Sequence, residues 1–233
     1  MLSLSVFFFG CIFPSSFGGK DRQAAHAGGD YSKLIVEIAF GKIICTFAPK
    51  KQAMGDIAAE LAKLHILKGA DYSRQVERIA RMGNFHPVEN ESGIFSVGGE
   101  NEDDYCNLLN AARKAVSHGY KVYILPNPSG INTADFIFER KGVYRMYELK
   151  TIQGSSSVLN RLTDSTSQSN HVLLNMTTHY NGGLLAVQIK SYFEQNGHAL
   201  EVLIFKGKVS LSVKRNFVFQ KDFVRKFRKE FGK

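Results

Sequence analysis

The chain is 233 residues long, 44% hydrophobic and 12% aromatic, and carries a formal net charge of +9. That length allows one good core, or one core with a small satellite domain, and the positive excess favours a polyanionic partner or an anionic membrane surface over an acidic protein substrate. Cys11, Cys45 and Cys106 stand far apart, with no Cys-x-x-Cys pair or Cys/His cluster, which argues against a zinc site and a disulfide scaffold and suits a reducing compartment.

Met1 to Pro14 is strongly apolar around Val6-Phe7-Phe8-Phe9, yet it lacks a basic flank and is too short to span a membrane. Phe9-Gly10-Cys11 faintly resembles a lipoprotein cleavage site without the upstream cation. Export or lipidation, a leader remnant, or a start codon inside a longer gene all stay open. Ser15 to Gly29, rich in Gly, Ser and Ala, reads as a linker, so residues 1–29 form a leader and linker. Tyr31 to Ala48 reads as a hairpin turning at Gly41-Lys42. The spacing of Met54, Ile57, Leu61, Leu64 and Leu67 predicts a helix over Gln52 to Lys68. Asp71 or Ser73 is expected to cap a second helix that ends near Gly83. Asn84 to Gly99 breaks the pattern and marks a boundary, leaving residues 30–97 as a small α+β region without a motif of chemistry.

Beyond the boundary, Glu100 to His118 is acidic at its start and basic near its end, which complements a helix dipole, and Gly119 closes the helix. Tyr120 to Leu125 is a strand and Pro126 to Gly130 a loop. Thr133 to Lys150 reads as two strands joined at Arg140-Lys141-Gly142. Ser155 to Asn170 predicts a short helix plus loop with Val158, Leu159 and Leu162 inward. Val172 to Met176 is a buried strand, Leu184 to Gln195 a helix, Leu200 to Phe205 a strand, and Val209 to Val213 an edge strand. Gln220 to Phe231 predicts an amphipathic helix with Phe223, Val224, Phe227 and Phe231 as its apolar stripe. This order predicts an α/β/α sandwich around a central mixed β-sheet spanning residues 98–233.

Two features carry chemistry. Side chains alternate faces along a strand, so Glu148 and Lys150 project together, and Asp135 meets them from the neighbouring strand. Two carboxylates can hold a hard divalent cation through oxygen, and an ammonium beside them can steer a water, which together suit phosphodiester cleavage. The plainer alternative is a solvated charged face. The second feature is the basic C-terminus, where Lys214, Arg215, Arg225 and Lys226 stand among interleaved phenylalanines. It reads as a docked helix with a solvated face, as a phosphate-tracking surface, or as a membrane-surface helix. His171, His179 and His198 allow a third chemistry, metal-free RNA cleavage by an acid–base pair.

The run Gly119-Tyr120-Lys121-Val122-Tyr123-Ile124-Leu125-Pro126, then Ala134-Asp135-Phe136 and Tyr147-Glu148-Leu149-Lys150-Thr151, then Gln168 ahead of His171 to Met176, resembles the PD-(D/E)xK nuclease superfamily. More narrowly it is similar to the C-terminal nuclease domains of contact-dependent growth inhibition and related polymorphic toxins. The resemblance covers residues 98–210, and Thr133-Ala134 replaces the proline that names the superfamily. It implies a restriction-endonuclease-like core and a Mg²⁺- or Mn²⁺-dependent endonuclease. In that reading Asp135, Glu148 and the backbone carbonyl of Leu149 are metal ligands, and Lys150 orients or activates water or neutralises the phosphate. A further ligand comes from the first helix, with Glu102 ahead of Asp103, Asp104 and Asn107, and Gln168 contacts phosphate or the lysine. The implied substrate is nucleic acid, tRNA ahead of DNA, cut by an interbacterial toxin effector in the cytoplasm of a target cell after delivery, with a cognate immunity protein as partner and no stable membrane span. Residues 30–97 would then be a delivery segment, an immunity-binding surface or an added lobe of the nuclease. The competing class is a non-catalytic nucleic-acid-binding or envelope-associated module.

Overall fold

A two-residue turn at Lys141 and Gly142 sets the register on which the candidate site depends. Both residues have positive φ, 54° and 76°, which matches the right-handed twist of the strands it joins, and glycine adopts it without steric cost. The Glu139 carboxylate accepts a 2.7 Å hydrogen bond from the Gly142 amide across the turn. The computed structural model describes residues 50–98, 102–128, 130–154 and 157–232, all within one compact unit. The leader, linker and first hairpin expected over residues 1–48 lie outside the described residues.

The sheet has eight strands lying side by side in chain order. They are β1 (His86–Pro87), β2 (Ile94–Ser96), β3 (Lys121–Ile124), β4 (Phe136–Arg140), β5 (Val143–Ile152), β6 (His171–Met176), β7 (Glu201–Lys206) and β8 (Val209–Lys214). The pairs β2–β3, β5–β6 and β6–β7 are parallel and the rest antiparallel, so the sheet is mixed as expected. The helices are α1 (Lys50–Ala62), α2 (Gly69–Ala80), α3 (Glu102–Ser117), α4 (Val158–Asp164), α5 (Gly182–Gln195), α6 (Arg215–Val218) and α7 (Phe223–Phe231).

Strand β5 shows how the layers divide. Tyr147 and Leu149 pack with α3 residues Leu108, Ala111 and Ala112 on one face. On the opposite face, Met146 packs with Ile57, Leu61, Val76 and Ile79 of α1 and α2, whereas Ile152 packs with Val158, Leu162, Leu185 and Ile189 of α4 and α5. This gives an α/β/α sandwich in which two groups of helices share one face. Capping fixes their starts. Ser157 Oγ accepts from the Asn160 amide at α4, and Asn181 Oδ1 accepts from the amides of Gly183 and Leu184 at α5.

Several boundaries depart from expectation. The first helix stops at Ala62 and continues as a 3-10 turn over Lys63–His65. Lys68, not Asp71 or Ser73, occupies the N-cap of α2, and makes no side-chain cap. The segment Asn84 to Gly99, expected to be irregular, contributes β1 and β2, with β2 paired in parallel to β3 and Ile94 buried. Strands this short show no periodicity of their own and form only because a longer neighbour offers its edge. The boundary expected near residue 98 therefore falls within a shared sheet, between β2 and α3.

The last helix starts at Phe223, three residues later than expected, and docks through the predicted stripe. Phe223, Phe227 and Phe231 are buried in the α5 cluster, with ring centroids 5.7 and 5.5 Å apart along the stripe. Phe227→Ala removes a fully buried ring from the middle of that contact and is expected to cost about 3–5 kcal/mol. Urea unfolding followed by circular dichroism checks this.

Candidate active site

Asp135 and Glu148 face one another because of the β4–β5 register. Phe136 pairs with Tyr147, so one step beyond the strand Asp135 stands opposite Glu148. The Asp135 amide donates to the Tyr147 carbonyl at 3.2 Å and its carbonyl accepts from Leu125 at 2.9 Å, holding it as a continuation of β4 between β3 and β5. A slip of one residue would put the two carboxylates on opposite faces. The Leu149 amide then donates to Asp135 Oδ2 at 2.7 Å. Lys150 Nζ, two residues from Glu148 on the same face, donates to Glu148 Oε1 at 2.6 Å. Asp135, Glu148, Leu149 and Lys150 thus meet as the sequence suggested.

The site lies in a seam. Met146 belongs to the α1–α2 cluster and Ile152 to the α4–α5 cluster, so Glu148 and Lys150 occupy the stretch of β5 between the two covers. Glu148 is only 3% exposed. Burial, and then the charge of Asp135, pushes its carboxyl up to about 8, with Lys150 pulling the other way. Burial likewise raises the Asp135 carboxyl, partly offset by the Leu149 amide. The Asp104 carboxylate in the first turn of α3 also raises Asp135, which puts the start of α3 within electrostatic range of the pair. Glu102 is the first residue of α3, and its side chain lies outside the described residues.

No N–H or hydroxyl group donates to the buried Glu148 Oε2, and its carboxyl stands within hydrogen-bond reach of the Asp135 carboxyl. Glu148, held up near 8, shares its proton with Asp135 by a hydrogen bond that lowers Asp135 and raises Glu148, and a hard cation fits in place of that proton between the two carboxylates. Among the described residues no group of three His, Cys, Asp or Glu side chains gathers around it. The fit therefore rests on Asp135 and Glu148.

No protein-family model and no curated protein matches the chain. Among solved structures, a CdiA-CT/CdiI toxin and immunity complex from Burkholderia pseudomallei is similar at 15% identity, covering 55% of this chain and 94% of that one with a TM-score of 0.34. A likeness at that level decides nothing about function.

The other expected residues are placed differently. Gln168 lines a small cavity with Thr133 and Met146, and among the described residues makes no hydrogen bond to Lys150 or Glu148. Lys214 ends β8, three strands or roughly 14 Å across the sheet from β5. Arg215 is engaged in the fold: its guanidinium donates to the carbonyls of Phe193 and Asn196 at the end of α5, at 3.0 and 2.9 Å, and stacks on Phe219. Arg225 and Lys226 are exposed and both pair with Asp222.

The fold separates His171 from His179. His171 and His179 lie at and beyond opposite ends of β6, and burial pushes His171 down to about 4, so it stays neutral near pH 7. Its ring packs edge-on against Tyr147, whose hydroxyl donates to the buried Glu201 at 2.9 Å. Sequence reasoning missed Tyr72 and Asn132, which border the same cavity as Gln168. No local pattern marks either residue, and only packing brings them there.

Proposed function

We propose that this protein is a divalent-metal-dependent nuclease that hydrolyses phosphodiester bonds, with Asp135, Glu148 and Lys150 as its working residues. The observation that carries the reading is the buried pair of Glu148 and Asp135 carboxyls, in which no N–H or hydroxyl group donates to Glu148 Oε2, with an ammonium 2.6 Å from the other oxygen of the same carboxylate. Asp135 and Glu148 would hold Mg²⁺ or Mn²⁺, with the Leu149 carbonyl and, on the motif order alone, Glu102 as further ligands. Such an ion supplies Lewis-acid polarisation of the phosphate and a more acidic water.

Hydrolysis adds water across one P–O bond: the water oxygen bonds to phosphorus, the bridging oxygen leaves, and one water proton ends on that leaving oxygen. Lys150 Nζ holds the water by hydrogen bonding, or neutralises the negative charge growing on phosphorus. Asp135 keeps its orientation through the Leu149 amide, and the helix layers on either side of the seam limit water access.

The net charge of +9 supports a nucleic-acid substrate. The choice of tRNA over DNA, action as a toxin in a target cell's cytoplasm, and an immunity-protein partner rest on the motif order from Gly119 to Met176. Among the described residues no helix is long and apolar enough to cross a membrane. The test is cleavage of separate tRNA and DNA pools by purified protein with Mg²⁺ or Mn²⁺ and with chelator. Chelator-sensitive cleavage is the expected result. Tight, salt-sensitive binding with no cleavage of either pool would transfer the protein to the non-catalytic binding class.

The C-terminal cations give a separate expectation. Lys214→Ala and Arg225→Ala are each expected to lower the slope of log affinity against log salt by about 0.7–0.9, the change for one lost phosphate contact. Arg215→Ala is expected instead to lower Tm, because it frees the carbonyls that end α5. Binding titrations at several salt concentrations, paired with thermal melts, separate the two roles.

A further inference from the structure

The cavity beside the carboxylates is built from distant parts of the chain. It holds about 70 Å³ and is bordered by His65 and Tyr72 near and on α2, Asn132 and Thr133 ahead of β4, Met146 on β5, and Gln168 after α4. It adjoins the site from a loop and from a strand: Thr133 is two residues before Asp135 in the segment ahead of β4, and Met146 is two residues before Glu148 on the same face of β5. Two residues of strand span roughly 6.6 Å.

The polar groups at this cavity are accessible to a ligand. The Tyr72 hydroxyl has only the Met146 thioether sulfur as acceptor, at 3.5 Å. Sulfur is a weak acceptor, so a phenol so placed gains by turning to a nitrogen or carbonyl. Among the described residues, the side-chain amides of the exposed Asn132 and the half-buried Gln168 form no hydrogen bond to protein and are open to solvent or a ligand; Gln168 bonds through its backbone amide to Ser165. Two amides and a phenol around a narrow space, with a Tyr ring and an exposed His ring on its wall, are the groups that read and stack unpaired bases. Water satisfies these groups in the free protein, and a base edge would replace it with directed donors and acceptors.

Resting on the nuclease reading above, we infer that this cavity is a base-reading subsite, in which Tyr72, Asn132 and Gln168 take the hydrogen-bonding edge of one unpaired nucleobase whose neighbouring phosphate lies at Asp135 and Glu148. The space admits a base edge, and the sugar and phosphate stay outside toward the carboxylates. Helix α2 and the turn at His65 are then a specificity wall of the enzyme, which gives residues ahead of the core a function. The substrate class narrows to nucleic acid with an unstacked base next to the cleaved bond: a loop, bulge or single strand.

The test needs neither metal nor turnover. Full-length protein carrying Asp135→Asn is titrated with the four ribonucleoside 5′-monophosphates, and with ribose 5-phosphate as the baseless control, while amide resonances are followed by NMR. The expected result is that at least one nucleotide shifts Tyr72, Asn132 and Gln168, that the four bases rank unequally, and that ribose 5-phosphate leaves these residues still. Gln168→Ala and Tyr72→Phe are each expected to weaken that nucleotide roughly tenfold, as for one lost hydrogen bond to a base. Equal shifts with and without a base, shifts confined to the α7 cations, or unchanged affinity in both variants would overturn the subsite. Cleavage by wild-type protein, lost in Asp135→Asn, tests the hydrolytic site by itself, so the two readings fail separately.

Discussion

Asp135→Asn and Lys150→Met are each expected to reduce nucleic-acid cleavage by on the order of a thousandfold while the fold persists. The two substitutions remove different things. In Asp135→Asn the side-chain carbonyl still accepts the 2.7 Å hydrogen bond from Leu149, so position survives and only the charge is lost. In Lys150→Met the stem is kept and the ammonium removed, leaving the whole Glu148 carboxyl to accept a proton or a cation. Steady-state cleavage at saturating Mg²⁺, with melting curves on the same samples, checks both. Cleavage by both variants within threefold of wild type, at unchanged Tm, would remove these residues from the mechanism.

Stability of the metal-free protein is expected to fall as pH rises, and Glu148→Gln is expected to remove most of that fall. The Glu148 carboxyl lies near 8 in the folded protein against an ordinary 4.5, with burial as the main cause. Between those values the folded state binds more protons than the unfolded one, so stability is complete below about 4.5 and is lost as pH rises through about 8. Strong coupling to Asp135 and Lys150 keeps the size to roughly 2–4 kcal/mol. A divalent cation competes with that proton, so Mg²⁺ is expected to raise Tm more at pH 8.5 than at pH 6, and to do so weakly in Glu148→Gln. Thermal melts over pH 5 to 9 with and without Mg²⁺ decide it. A pH slope identical in wild type and Glu148→Gln would mean that another group governs it.

Much of the site was readable before the fold because its geometry is local. A two-residue turn with glycine and alternating strands on either side bring Asp135 to Glu148, and alternation alone puts Lys150 beside it. The stripe of Phe223, Phe227 and Phe231 was readable for the same reason, since helical spacing is a property of neighbouring residues. The basic C-terminus was less so: Arg215 looked like its neighbours, and only the carbonyls at the end of α5 distinguish it. Strands β1 and β2 were missed because two or three residues flanked by Gly and Pro have no pattern until a neighbouring strand supplies the partner.

The sequence by itself determined which residues meet at the candidate site, because strand alternation and hairpin register act over a few residues. Tertiary structure alone decided what environment those residues meet. The seam between the α1–α2 and α4–α5 covers leaves Glu148 3% exposed, and its Oε2 buried with no N–H or hydroxyl donor. That burial turns an ordinary carboxylate into one held near 8. The same packing draws Tyr72, Asn132 and Gln168 to one cavity from separate elements. Burial and desolvation depend on atoms supplied by the whole chain, and no short stretch of residues contains them.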